Sequence, residues 1–295
     1  MELILGFLYL CLLSCDGGLA QTANTPQELP NSLEKHAFIL RHNYVDATLK
    51  FDGSGQISAG AREGFGPSDG TVYVLQAQLL PDKFILNGKR PVYLFVPKAQ
   101  KWQMTNLGKP VSIEIQIPAH DPASSAIPRL IDTVFLKGSE VAALECSSEE
   151  QQQLIDDVVN HERKDKQDEL PPVSDLKELR LYCLPGGDRA YKVGRGIRMP
   201  HVRHAPDPEY SEDARRARLE GTSKLIAIVN PGGSTSAISI MRPLGQNLPQ
   251  DLARVAFELD QSAVEAVAKW KFDPPVFGGM PVPIVIMIEV NFRHR

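Results

Sequence analysis

"LDQSAVEAVAKWKFDPPVFGGMPVPIVIMIEVNFR", residues 259–293, changes its period halfway along. Leu259, Ala263, Ala266, Val267 and Trp270 recur at helical spacing and share one face. Asp260, with Leu259 before it and Val264 behind it, reads as an N-cap with a hydrophobic staple. Small alanines let such a helix lie close to a sheet, and Trp270 fills the gap at its far end. Pro274-Pro275 forbids continuation and Gly278-Gly279 turns the chain. Beyond them the period becomes two, with Ile284, Ile286, Ile288, Val290 and Phe292 on one side of a long strand.

The text just upstream supplies the partners this strand needs. In "PDPEYSEDARRARLEG", from Pro206, Ser211 caps a helix whose first turn is acidic (Glu212, Asp213). Arg215, Arg216 and Arg218 suit its C-terminal end, and Gly221 supplies the stop. "TSKLIAIVNPGGSTSAISIMRP" is a hairpin around Asn230-Pro231-Gly232-Gly233. Its first strand is apolar on both sides, Leu225/Ala227/Val229 and Ile226/Ile228, so it is expected to be central or covered on both faces. Helix, hairpin, helix, strand is satisfied by three antiparallel strands packed on one side by two helices.

These motifs resemble the C-terminal domain of the TonB family over about Pro206 to Phe292. The shared features are a Pro-x-Tyr-Ser helix entry at Tyr210, a Gly-Thr strand start at Gly221, a Leu-Asp helix, a Trp-x-Phe-x-Pro turn through Trp270, Phe272 and Pro274, and a Gly-x-Pro-Val strand entry at Gly279. The resemblance implies a non-enzymatic binding module. The open edge of a small sheet accepts an extended partner segment, with main-chain hydrogen bonds giving affinity and alternate side-chain positions giving selectivity. It further implies a protein partner in the cell envelope, the N-terminal segment of an outer-membrane transporter, and a periplasmic location. The implied contact residues are Val282, Ile284, Ile286, Ile288, Glu289, Val290, Asn291 and Phe292, with the turn before them. An exposed edge can equally pair with its own copy, so a homodimer through the last strand stands beside the transporter. A transducing member of that family also carries a membrane anchor and a long Pro-rich spacer, and neither is legible here, which leaves energy coupling open.

The first two thirds read differently. Short alternating runs, "TVYVLQAQLL", "KFILNGKR", "VYLFVP" and "VSIEIQIP", with Asp52-Gly53 and Asn87-Gly88 as hairpin turns, predict a β-rich domain over 33–185. It ends in a charged helix over 149–166, with Ser148 and Gln151 at capping-box spacing and Pro171-Pro172 as its stop. Residues 186–205, rich in Gly, Pro and His, read as a linker to the 206–295 domain. The fold class is therefore α+β. The apolar run Leu3–Leu13 reads as a signal peptide over 1–20, cleaved after Ala20, with a lipidated Cys15 as the competing processing, followed by a flexible leader over 21–32. Cys146 and Cys183 are then the cysteines left in an exported chain, either paired or as two buried thiols.

With 32 basic and 36 acidic residues and a net charge of −4, nothing draws the chain to nucleic acid. No cofactor motif appears: "GSGQISAG" lacks the ending of a phosphate loop, and Ser234 in "GGSTS" lacks a nucleophile elbow. The rival to a binding protein is an envelope enzyme or metal-binding protein. Its site would lie in the β-rich domain or at His201 and His204 of "HVRH", with the tail as a localising or dimerising module.

Overall fold

The computed structural model describes residues 28–58, 60–119, 122–159, 171–246 and 248–293. The signal peptide, Cys15 and most of the leader lie outside the described residues; the leader's last residues enter a short helix. In chain order the elements begin α1 (Glu28–Leu33), β1 (Ala37–Ile39), β2 (Thr48–Phe51), α2 (Pro67–Gly70), β3 (Thr71–Leu79), β4 (Lys83–Lys89), β5 (Val92–Val96), β6 (Lys101–Thr105) and β7 (Pro110–Gln116). Then come α3 (Ala123–Val134), α4 (Gly138–Ala142), α5 (Ser148–Leu154), β8 (Leu181–Cys183), β9 (Arg189–Lys192) and β10 (Val202–His204). The chain closes with α6 (Glu212–Ala217), β11 (Gly221–Val229), β12 (Thr235–Arg242), α7 (Gln250–Val267), β13 (Lys271–Phe272), β14 (Val276–Phe277), β15 (Met280–Pro281) and β16 (Ile284–Phe292).

Five strands, in the order β1-β3-β4-β7-β2, form the first sheet. Alternation puts Val72, Val74, Phe84, Leu86, Val111, Ile113 and Ile115 on one side, where Ile127, Leu130 and Val134 of α3 cover them. Asp52-Gly53 turns as expected, Asp52 Oδ1 accepting from Ser54 N at 2.8 Å and Gln56 N at 3.0 Å. Asn87-Gly88 does not turn: both residues lie inside β4. Glycine is needed there because a Cβ would stand 2.2 Å from the carbonyl oxygen of Tyr73 on the neighbouring strand.

The second sheet has seven strands, β6-β5-β12-β11-β16-β9-β8. At its centre β11 pairs antiparallel with β12 and with β16, the three-stranded arrangement expected, and α6 and α7 pack on one side through Ala214, Val255, Leu259, Ala263 and Val267. Ile226 and Ile228 point the other way, under Leu154 and Val158 from α5 and the π-helical turn Ile155–Val159 that continues it. Both faces of β11 are therefore covered, as its two apolar rows require.

Several local expectations are corrected. The capping box is Ser147 with Glu150, one residue earlier than expected: Ser147 Oγ accepts from Glu150 N at 3.2 Å and the Glu150 carboxylate accepts from Ser147 N at 2.8 Å. The helix is described to Val159, and the rest of its expected 149–166 span lies outside the described residues. Arg218 at φ 49°, not Gly221, ends α6, and Gly221 opens β11. Asp260 is not a cap: α7 begins at Gln250, and Asp260 lies fully buried inside it. The stretch 186–205 is not a free linker, since it contributes β9 to the sheet and β10, which pairs with β13.

The hairpin turn of β11–β12 gives a first testable consequence. Gly233 has φ 80°, and a Cβ there would sit 2.2 Å from the carbonyl oxygen of Phe272. Gly233→Ala should lower stability by roughly 2 kcal/mol, from left-handed strain plus displacement of β13. Urea unfolding would read this, and a change within about 0.5 kcal/mol would contradict it.

Candidate docking edge

The last strand forms because Ile284–Phe292 alternates without interruption and meets β11 over nine register positions, from Gly221↔Phe292 to Val229↔Ile284. Cross-strand pairs on its outer row hold the register: Lys224 Nζ reaches Glu289 at 3.1 Å and Thr222 Oγ1 donates to Asn291 at 2.6 Å. The turn before it is local chemistry too. Gly278 and Gly279, at φ 56° and 83°, close a two-residue hairpin in which Phe277 faces Met280.

The expected contact residues separate into two groups. Ile284, Ile286, Ile288, Val290 and Phe292 are all buried against the helices, and Val282 is buried just before the strand. Their side chains build the core, so what they offer a partner is main chain. Glu289 and Asn291 face outward, and between them and the strand start stands Met287, 60% exposed, which the sequence reading passed over.

The edge is shorter than expected. Along the side away from β11, β9 pairs in parallel with the first two residues, Ile284↔Tyr191 and Val285↔Lys192, and Tyr191 N donates to Pro283 O at 2.9 Å. Among the described residues no strand pairs with Ile286–Phe292 on that side. On the opposite flank of the three strands, β12 is joined in parallel by β5 at Ser239↔Tyr93 and Ile240↔Leu94. Nothing in the local sequence announces these additions, since short parallel pairings leave no periodic signature beyond "strand".

The motif residues brace the frame behind the edge. Tyr210 stacks edge-on against Phe292 with ring centres 6.0 Å apart, and its hydroxyl donates to Leu219 O. Trp270 Nε1 donates to Pro206 O at 3.3 Å, and Phe272 N to Gly233 O at 2.8 Å. Pro274 is exposed in the turn after β13. Under the start of β11, Asp260 Oδ1 accepts from Ser223 Oγ and from Leu244 N at 3.0 Å, tying α7 to β11 and to the turn that follows β12. Burial pushes this carboxyl up to about 6 against those two stabilising bonds.

The other candidates stand apart from the edge. His201 and His204 are exposed, on or next to β10, where His201 O accepts from Asp273 N at 2.9 Å; no group of three metal-ligating side chains exists among the described residues. Cys146 and Cys183 are bonded, with Cα atoms 5.7 Å apart, joining the segment before α5 to β8. Among the described residues no helix is long and apolar enough to cross a membrane.

Residues 206–294 match the family model described as Gram-negative bacterial TonB protein C-terminal. Among similar curated proteins, Protein TonB of Vibrio cholerae is 30% identical over 86 residues, which are 29% of this chain and 31% of that protein. Protein tonB2 of Pseudomonas aeruginosa is 32% identical over 90 residues, 30% of each chain. The chain thus spans less than a third of the length of these curated relatives. The solution NMR structure of the Pseudomonas aeruginosa TonB C-terminal domain is similar at 21% identity and a TM-score of 0.24, over 32% of this chain and 89% of that one.

Proposed function

We propose, from the premise that residues 206–294 are a TonB C-terminal domain, that this protein is a non-enzymatic docking protein of the bacterial cell envelope. Its C-terminal sheet accepts an extended segment of a partner by strand addition, and the partner is the N-terminal segment of an outer-membrane transporter. The observation that carries this reading is the side of Ile286–Phe292 that no strand among the described residues pairs with, borne by a strand whose other side and apolar face are both fixed. A main-chain edge held this rigidly offers hydrogen bonds without an ordering cost to its own residues. The disulfide supports an oxidising compartment such as the periplasm. The strands that the first two thirds of the chain add on both flanks shorten the open side of β16 and make the N-terminal region the domain's frame.

The test is photo-crosslinking in cells, with a photoreactive side chain at Glu289 or Asn291 and mass spectrometry of the adduct. The expected adduct joins either position to the N-terminal segment of an outer-membrane transporter. Adducts between copies of this chain alone would replace docking with homodimerisation through the last strand.

A further inference from the structure

β9 is a short strand, yet it is anchored from several directions. Its hairpin partner β8 carries Cys183, bonded to Cys146. Tyr182, Leu184 and Ala190 are buried beneath Leu154 and Val158. The connecting turn is wedged: a Cβ on Gly186 (φ 95°) would lie 3.2 Å from the ring of Tyr93, and one on Gly187 (φ 92°) 2.5 Å from the carbonyl oxygen of Leu144. Asp188 Oδ2 accepts from Ser68 N at 3.0 Å, binding the same turn to α2. Past Lys192 the chain leaves the sheet through a tight turn in which Gly194 and Ile197 exchange main-chain bonds of 2.9 and 3.1 Å.

A strand added to β16 must run in the lane that β9 already occupies, about 4.8 Å from β16, because a sheet has one such lane on each side. The nine-residue strand loses its first two positions to β9, which leaves Ile286–Phe292. At the point where β9 stops, the first outward side chain is Met287, 60% exposed, whereas the next two, Glu289 and Asn291, already have partners across the strand pair. Within Ile286–Phe292 the polar positions of this row are satisfied and the apolar one, Met287, stands exposed, whereas Val285 before it on the same row is buried.

We propose that β9 is a fixed stop on the docking edge, so that a partner segment pairs only with Ile286–Phe292 and sets an apolar side chain against Met287. The stop fixes register as well as length: about 23 Å of strand is on offer, enough for seven residues in pairing. A flexible, polarizable methionine tolerates different apolar side chains, so the position selects for apolarity rather than for one residue. This inference rests on the docking reading above and adds the segment's length, its register and the chemistry of one of its positions.

The experiment uses the full chain in cells, with the photoreactive side chain placed singly at Lys192 and at Asn291, in the native background and with Met287→Glu or Met287→Leu. The two positions should trap different residues of one partner segment, no more than about seven apart. Met287→Glu should cut the Asn291 adduct about tenfold, as expected for an apolar contact turned into a buried charge, and Met287→Leu should keep it. Both variants should unfold at the native temperature, because Met287 is exposed. Trapping of one partner residue at both positions, or of residues much farther apart, would show a sliding register and overturn the stop. An unchanged yield in Met287→Glu would overturn the apolar contact. Adducts with no partner other than this chain would remove the docking reading itself and this inference with it, whereas the two preceding outcomes leave docking standing.

Discussion

Replacing Cys146 and Cys183 together by serine is expected to cost about 4 kcal/mol of stability, the chain-entropy value for a loop of this length, with a sequence separation of 37. The expected magnitude is large because the bridge closes a loop containing α5, the residues after it and the strand β8. In the unfolded chain, the open loop explores conformations that the bonded chain cannot reach. Dithiol reduction of the native protein should reproduce the loss, since the same bond is opened, and urea midpoints before and after reduction would measure it. A double variant within about 1 kcal/mol of the native protein would show that packing of Tyr182, Leu184 and Ala190 holds the hairpin without the bridge. The consequence would reach the proposed docking edge, because β8 pairs with β9 and β9 bounds the lane beside β16.

Asp260→Asn should change the pH dependence of stability by about 3 kcal/mol between pH 3.5 and 7, and the sign follows from the environment. Burial inside α7 raises the carboxyl to about 6, above its ordinary range, so the folded protein holds this proton more tightly than the unfolded chain does. The stabilisation linked to the proton is complete below the unfolded pKa and is lost as pH rises through the folded one. Asparagine keeps an oxygen for Ser223 Oγ and Leu244 N and carries no charge. The variant should therefore gain on the native protein as pH rises, and urea unfolding at both ends of that window would read the difference. Equal pH profiles would place the Asp260 carboxyl in water rather than in the core. Asp188, pushed up to about 7 by burial with Asp69 adding to the shift, acts in the same direction in both proteins and cancels from the comparison.

Asp260 also shows where reading residues in order goes astray. Its place after Leu259 and before an apolar run gives it the look of a cap, yet the helical period extends back through Val255 and Ala256, and Pro249 marks the true entry. A carboxylate inside an apolar face becomes intelligible once Ser223, far upstream, is seen beneath it. Gly88 is similar: Asn-Gly is a turn signal in isolation, but inside β4 the glycine answers the close approach of Tyr73.

The order of elements in the last third was written in local chemistry. Ser211 capping, the Asn230–Gly233 turn, the two prolines after Phe272 and the unbroken alternation of β16 each act over a few residues, and the two apolar rows of β11 demanded a covered central strand. The same reasoning located most strands of the first sheet. What surrounds the three central strands was settled by folding at long range. Main-chain hydrogen bonds join β5 to β12 and β9 to β16, and these bonds are made by groups common to every residue. Two short parallel pairings thus left no mark on the composition of either strand. They nevertheless set the flanks of the sheet, the length of the open edge and the exposure of Met287, because a strand's lane is filled by whichever segment the rest of the chain holds there.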